Sequence, residues 1–108
     1  MPNLQIYRTT TPVLIFKIKN DDFDMSSILI CHITLENKNG LNSLTLDNPV
    51  IDTENKTVKV RLTQDQTAMF SIGLVRIQMK IKLKNDDVIS TKVIEGDIME
   101  ILEEELLW

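Results

Sequence analysis

One cysteine, one histidine and an aromatic content of 5% remove much of the chemistry that a short chain can display. Cys31 has no partner for an internal disulfide, and a lone thiol agrees with a reducing compartment. A zinc site of the usual nitrogen and sulfur kind fails on ligand count, because Cys31 and His32 are the whole supply. So few aromatic rings make no stacking platform for bases or sugars. No apolar run reaches the roughly 18 residues of a membrane-spanning helix, and the opening MPNLQIYRTTTPVL lacks the basic-then-apolar layout of a secretion signal. The chain is therefore expected to be made and kept in a cytoplasm, with no membrane partner. A net charge of −4 argues against a general polyanion binder.

What is present fits one folded unit. The 108 residues suffice for a single hydrophobic core, and 43% apolar with 26% charged residues is ordinary globular composition. Period-two alternation dominates. In LVRIQMKIKLK (74–84), Val75, Ile77, Met79, Ile81 and Leu83 share one face while Arg76, Gln78, Lys80, Lys82 and Lys84 share the other. VLIFKIK (13–19) sets Leu14, Phe16 and Ile18 on one side, and ILICHITLE (28–36) sets Leu29, Cys31, Ile33 and Leu35 together. TVKVRLT (57–63) and the β-branched VISTKVI (88–94) add two strands, with shorter ones at Leu4–Arg8, Ser43–Leu46 and Val50–Thr53. Turn-forming clusters separate them at 20–27, 37–40, 47–49, 53–56 and 84–87. Seven or eight short strands at this spacing predict an all-β sandwich or small barrel occupying 1–108 as one domain. In IMEILEEELLW (98–108) the last strand is expected to continue to about Ile101 and give way to a short acidic and apolar tail, about 102–108.

Between the strands, RLTQDQTAMFSIG (61–73) breaks the pattern. Thr63 and Gln66 fit a capping box, so a helical turn is expected near 63–70. Ala68, Met69 and Phe70 would then lie on the end of the core, before Gly73 turns the chain into the long strand. Thr63, Gln64, Asp65 and Thr67 could pass for a polar active-site loop, but no base or oxyanion donor stands beside them, and the cap accounts for them.

Other candidate sites are weak. Adjacent residues of a strand point to opposite faces, so Cys31 and His32 make no nucleophile–base dyad: Cys31 reads as core and His32 as surface. The acid-rich turns NDDFD (20–24) and KNDD (84–87) lack the ligand spacing of a calcium loop and read as solvated turns. No catalytic, cofactor-binding or metal-binding residue is assigned. Charge is segregated more clearly: from Lys56 to Lys92 eight bases face three acids, a local +5, whereas 93–108 carries six acids and no base. If 57–63 and 74–84 shared a sheet, Lys59, Arg61, Arg76, Lys80 and Lys82 would form one basic outer face. That face could be solvated edge protection, a docking face for an acidic protein, or a nucleic-acid surface; the absence of interleaved aromatics disfavours the last. Leu106, Leu107 and Trp108 are costly to leave in water, so they fold back on the core or anchor the chain to a neighbour.

The order YRTTTPVLIFKI, DMSSILICHITLEN, VKVRLTQDQTAMFSIGLVRIQMKIKLKND, ISTKVI, IMEIL resembles a family of small virion-associated proteins of tailed phages from Gram-positive hosts. The resemblance spans nearly the whole chain and is carried by Arg8, Thr10, Thr11, Pro12, Phe16, Leu62, Thr63, Gln64, Thr67, Phe70, Gly73, Val75, Gln78 and Ser90. Thr9 stands where the family favours glycine, and the acidic C-terminal segment is longer. A fainter likeness is to the N-terminal domain of phage upper-baseplate proteins. Both imply an immunoglobulin-like β-sandwich attached to a virion, and neither brings catalytic residues.

The resemblance implies a non-enzymatic virion structural protein, synthesised in the host bacterial cytoplasm. A small capsid decoration or accessory protein on the major capsid protein is the first expectation, because the chain ends just after the domain. A tail or baseplate adaptor is the alternative. A small enzyme or an inhibitor acting in the infected host is the reading from another class. No cofactor and no nucleic-acid partner is expected; homo-oligomerisation is open.

Overall fold

The computed structural model describes residues 4–19, 22–37 and 42–107. Its strands are β1 (Leu4–Tyr7), β2 (Val13–Lys17), β3 (Ile28–Asn37), β4 (Ser43–Leu46), β5 (Val50–Asp52), β6 (Thr57–Arg61), β7 (Gly73–Leu83), β8 (Val88–Ser90) and β9 (Ile94–Met99). A helical turn, α1 (Gln64–Ala68), joins β6 to β7, and a shorter 3-10 turn, Met25–Ser27, leads into β3. The larger sheet runs β1-β9-β7-β3-β4, with β8 beside β7 beyond the start of β9; the smaller runs β2-β6-β5. β1 lies parallel to β9, and every other pair is antiparallel. This is an immunoglobulin-like sandwich: the two sheets face each other, and the chain changes sheet between β1 and β2, β2 and β3, β4 and β5, and β6 and β7.

Alternation builds the core as the sequence predicts. Val75, Ile77, Met79 and Ile81 of β7 are buried, while Arg76, Gln78 and Lys80 face outward. Opposite them lie Leu14, Val58, Val60 and Leu62 from the smaller sheet, with Ile33, Leu35 and Ile98 completing the layer. Each such side chain stabilises the fold by roughly 1.5–3 kcal/mol on burial. Gly96 has a packing reason: a Cβ there would meet the Leu4 carbonyl oxygen at 2.8 Å and push β1 off the sheet.

Two irregularities break the expected alternation. Between Ile28 and Ile30 the pairing of β3 with β7 advances only from Leu83 to Lys82, so Leu29 is an extra residue. It is 55% exposed, not in the core, whereas Ile28 packs on the core. The expected strand 88–94 is likewise divided. Ser90 faces Lys80 and Ile94 faces Ile77, so three residues, 91–93, oppose two. Thr91 fixes this bulge: its hydroxyl accepts from the Met79 N–H at 3.0 Å, and its own N–H donates to the Met79 carbonyl at 2.9 Å.

The break between β6 and β7 is a capped helix. Thr63 Oγ1 accepts from the Gln66 N–H at 3.2 Å, and Gln66 Oε1 accepts from the Thr63 N–H at 2.8 Å. Of the three apolar residues expected to plug the core, Phe70 does so; Met69 is 38% exposed and Ala68 half-buried. Gly73 then takes a φ of +128°, which β-carbon-bearing residues avoid. Thr9 also has a left-handed φ of +58°, and as a β-branched residue it bears the strain of that backbone.

Candidate docking surfaces

The five basic residues expected on one face are divided between the two sheets. β6 belongs to the smaller sheet and β7 to the larger, so Lys59 and Arg61 point outward on one side of the sandwich while Arg76, Lys80 and Lys82 point outward on the other. The premise of a shared sheet fails because a helical crossover, not a hairpin, joins these strands. On the larger sheet two of the three charges are answered within the chain. Arg76 donates to Glu36 at 2.7 Å and Lys82 lies 3.9 Å from Asp86, whereas Lys80 stands across from His32, which brings no negative charge. Thr34 and Thr45 hydroxyls meet at 3.1 Å, and Gln78 Nε2 donates to the Thr91 carbonyl at 2.9 Å.

The outer face of the smaller sheet has another character. Register places Ile15, Lys59 and Val50 in one row across the three strands, with Val13 beside Arg61 in the next. Val13, Ile15 and Val50 are 52%, 60% and 66% exposed. Lys17 extends the positive side. Asp52, the acid of these strands, is turned into its own loop, accepting from the Glu54 and Asn55 N–H groups and from Asn55 Nδ2; the Asn55 bonds foremost hold its carboxyl below the ordinary value of 3.8. The result is an apolar row set among cations. Lys59 and Arg61 were anticipated; Val13, Ile15 and Val50 were not. The signal was VLIF, where both alternating faces of a strand are apolar.

β2 is also an edge strand. The Leu62 N–H donates to the Pro12 carbonyl and the Ile18 N–H to the Lys56 carbonyl, each at 2.9 Å, which fixes the phase of the ladder. Val13, Ile15 and Lys17 therefore turn their N–H and C=O groups away from β6, toward an edge that no described strand covers. Beside this edge a groove of about 720 Å³ opens between the sheets, reaching the bulge at 91–93. Ile15, Phe16, Ile18, Ile77, Met79 and Ile94 line it, and Lys17, Lys19 and Lys92 stand along it, with no acid among the described residues that line it.

At the α1 end the polar groups are turned inward. Thr67 is fully buried: its hydroxyl donates to the Thr10 carbonyl at 2.9 Å and accepts from the Thr10 N–H at 3.1 Å. Arg8 Nη2 donates to the Ala68 carbonyl at 2.9 Å, and Nη1 pairs with Glu104. Gln64 holds the 100–107 segment, accepting from the Leu107 N–H at 2.7 Å and donating to the Leu107 carbonyl. Leu106 is half-buried and Leu107 is 66% exposed; Trp108 lies outside the described residues.

Cys31 is buried, and desolvation pushes its thiol up to about 11. His32 is on the opposite face of β3. Asp24 caps the 3-10 turn: its side chain accepts from the Ser26 hydroxyl and N–H, and these bonds hold its carboxyl below the ordinary value. Asn20 and Asp21 lie outside the described residues. No group of three His, Cys, Asp or Glu side chains converges among the described residues, and no described helix is long and apolar enough to cross a membrane.

No protein-family profile matches this chain, and no curated protein does. Among solved structures the chain is similar to part of a protein from Bacteroides vulgatus ATCC 8482 described as a "putative glycoside hydrolase", with a TM-score of 0.53 at 14% identity. The match covers 91% of this chain and 16% of that one. At that identity the likeness shows the fold alone.

Proposed function

We propose that this domain is a non-enzymatic structural protein of a tailed-phage particle, a small decoration or accessory protein that docks on the head shell through the outer face of its three-stranded sheet. The sequence resemblance supports the virion setting. The observation that carries the docking role is the exposed row Ile15, Lys59, Val50, flanked by Val13 and Arg61. A partner that fits this face offers an acidic surface with an apolar centre, and the proposal requires such a surface of the major capsid protein. Covering these three half-exposed aliphatic residues stabilises a contact by roughly 1 kcal/mol each. That falls short of the roughly 4–15 kcal/mol lost in rigid-body freedom on association, so one small patch holds weakly. A repeated lattice, in which neighbouring copies reinforce one another, makes such a contact useful.

Cryo-electron microscopy of purified particles tests this directly. Density for a sandwich of this size on the head shell supports the proposal, with Ile15→Glu and Val50→Glu together removing it. Density at the tail tip would replace decoration by the baseplate-adaptor reading. Absence from the particle, with the protein abundant in infected cells, would overturn the virion assignment.

A further inference from the structure

The groove beside β2 and the segment at 100–107 have opposite chemistries. The groove is apolar within, bears Lys17, Lys19 and Lys92, and is bounded by the unpaired backbone edge of β2. The segment carries Glu100, Glu103, Glu104 and Glu105 with no base, and holds Leu102 98% exposed and Leu107 66% exposed. An extended chain laid along β2 would satisfy the N–H and C=O groups of Val13, Ile15 and Lys17, place apolar side chains in the groove and bring glutamates to the lysines.

The topology separates these features along the molecule. β6 leads directly into α1, so the Arg61 end of β6, and with it Val13 of β2, is the α1 end; Lys17 and Lys19 lie toward the other. β9 runs from Ile94, at the groove, to Met99, which accepts from the Arg8 N–H at the α1 end. The acidic segment thus leaves the fold at one end and the groove opens toward the other. Two copies stacked head to tail bring one copy's segment to the next copy's groove.

We infer that this chain self-associates head to tail, the 100–107 segment of one copy adding as a strand to the β2 edge of the next. The contact joins two different surfaces, so it repeats into a ring or an open filament and does not stop at a symmetric dimer. Within a single copy the segment is held by Gln64 and Arg8, two exposed contacts that compete with the exchange. The two contacts share Ile15 and Lys17, which border the groove as well; Val50 on β5, at the far side of the sheet, belongs to the docking face alone and separates them.

Sedimentation velocity of the full chain over a wide concentration range tests the inference, with circular dichroism confirming the fold of each variant. The weight-average mass is expected to rise past that of a dimer. Lys17→Glu with Lys92→Glu should hold the chain monomeric, as should Glu103→Lys with Glu105→Lys. Mixing these two variants should restore association, because the glutamate-bearing groove now accepts the lysine-bearing segment. Gln64→Ala, which removes one of the segment's two tethers, should strengthen self-association several-fold. A wild-type chain that stays monomeric throughout, or a mixture of the two variants that fails to associate, would overturn the inference. Loss of particle incorporation in a Val50→Glu variant with unchanged self-association would separate the two proposals.

Discussion

The α1 end and the β2 flank of this sandwich treat their hydrogen-bonding groups in opposite ways. At α1, Thr63, Gln64, Gln66, Thr67 and Arg8 direct polar atoms to backbone groups of the same chain, and Phe70 closes the core beneath them. Along β2, backbone groups of Val13, Ile15 and Lys17 face no described strand, and two of these three side chains are aliphatic and exposed. Edge strands with such features are an association hazard unless guarded, and here the guards are lysines. Lysines repel unwanted copies of the same edge yet attract acidic partners, so the flank is selective and not merely exposed. The closed end holds the fold; the open flank is available for binding.

If that division is right, substitutions at the closed end act on stability. The largest effect is expected from Phe70→Ala. The ring is 1% exposed at the end of the core, and its removal should cost about 3–5 kcal/mol in urea unfolding, a large share of the stability of a domain this size. Thr67→Val keeps the volume but strands the Thr10 N–H and carbonyl, so a loss of about 1–3 kcal/mol is expected. Thr63→Ala removes one half of the capping box and should cost about 1 kcal/mol. A Thr67→Val protein as stable as wild type would show that the α1 end is not closed by these bonds.

Much of this could be read from the residues. The alternation of β7 dictates a half-buried strand, and Thr63 and Gln66 announce their helix because both partners lie within four residues of each other. What stayed hidden depends on partners distant in sequence. Which sheet a strand joins is decided by non-local pairing, so Lys59 and Arg76 could not be assigned to opposite sides from their own strands. Leu29 and the 91–93 segment obey alternation in the sequence and leave it only because each strand carries one residue more than β7 opposes. Thr67 reads as a polar loop residue until Thr10, 57 positions earlier, is brought against it. The open flank was least legible, since VLIF looks equally like a strand buried on both faces.

The smallest expected effect is the most discriminating. Ile15→Thr with Val50→Thr preserves β-branching on both strands and trims only side chains that stand 60% and 66% in water. Because neither reaches the core layer, unfolding stability should move by less than about 0.5 kcal/mol. A loss above about 1 kcal/mol would mean that these side chains pack across the face of the sheet and stabilise the fold, leaving Lys59 and Arg61 with no apolar surface to frame. Unchanged stability together with weakened attachment would instead place the role of this row outside the folded chain, as an exposed aliphatic row with no internal purpose requires.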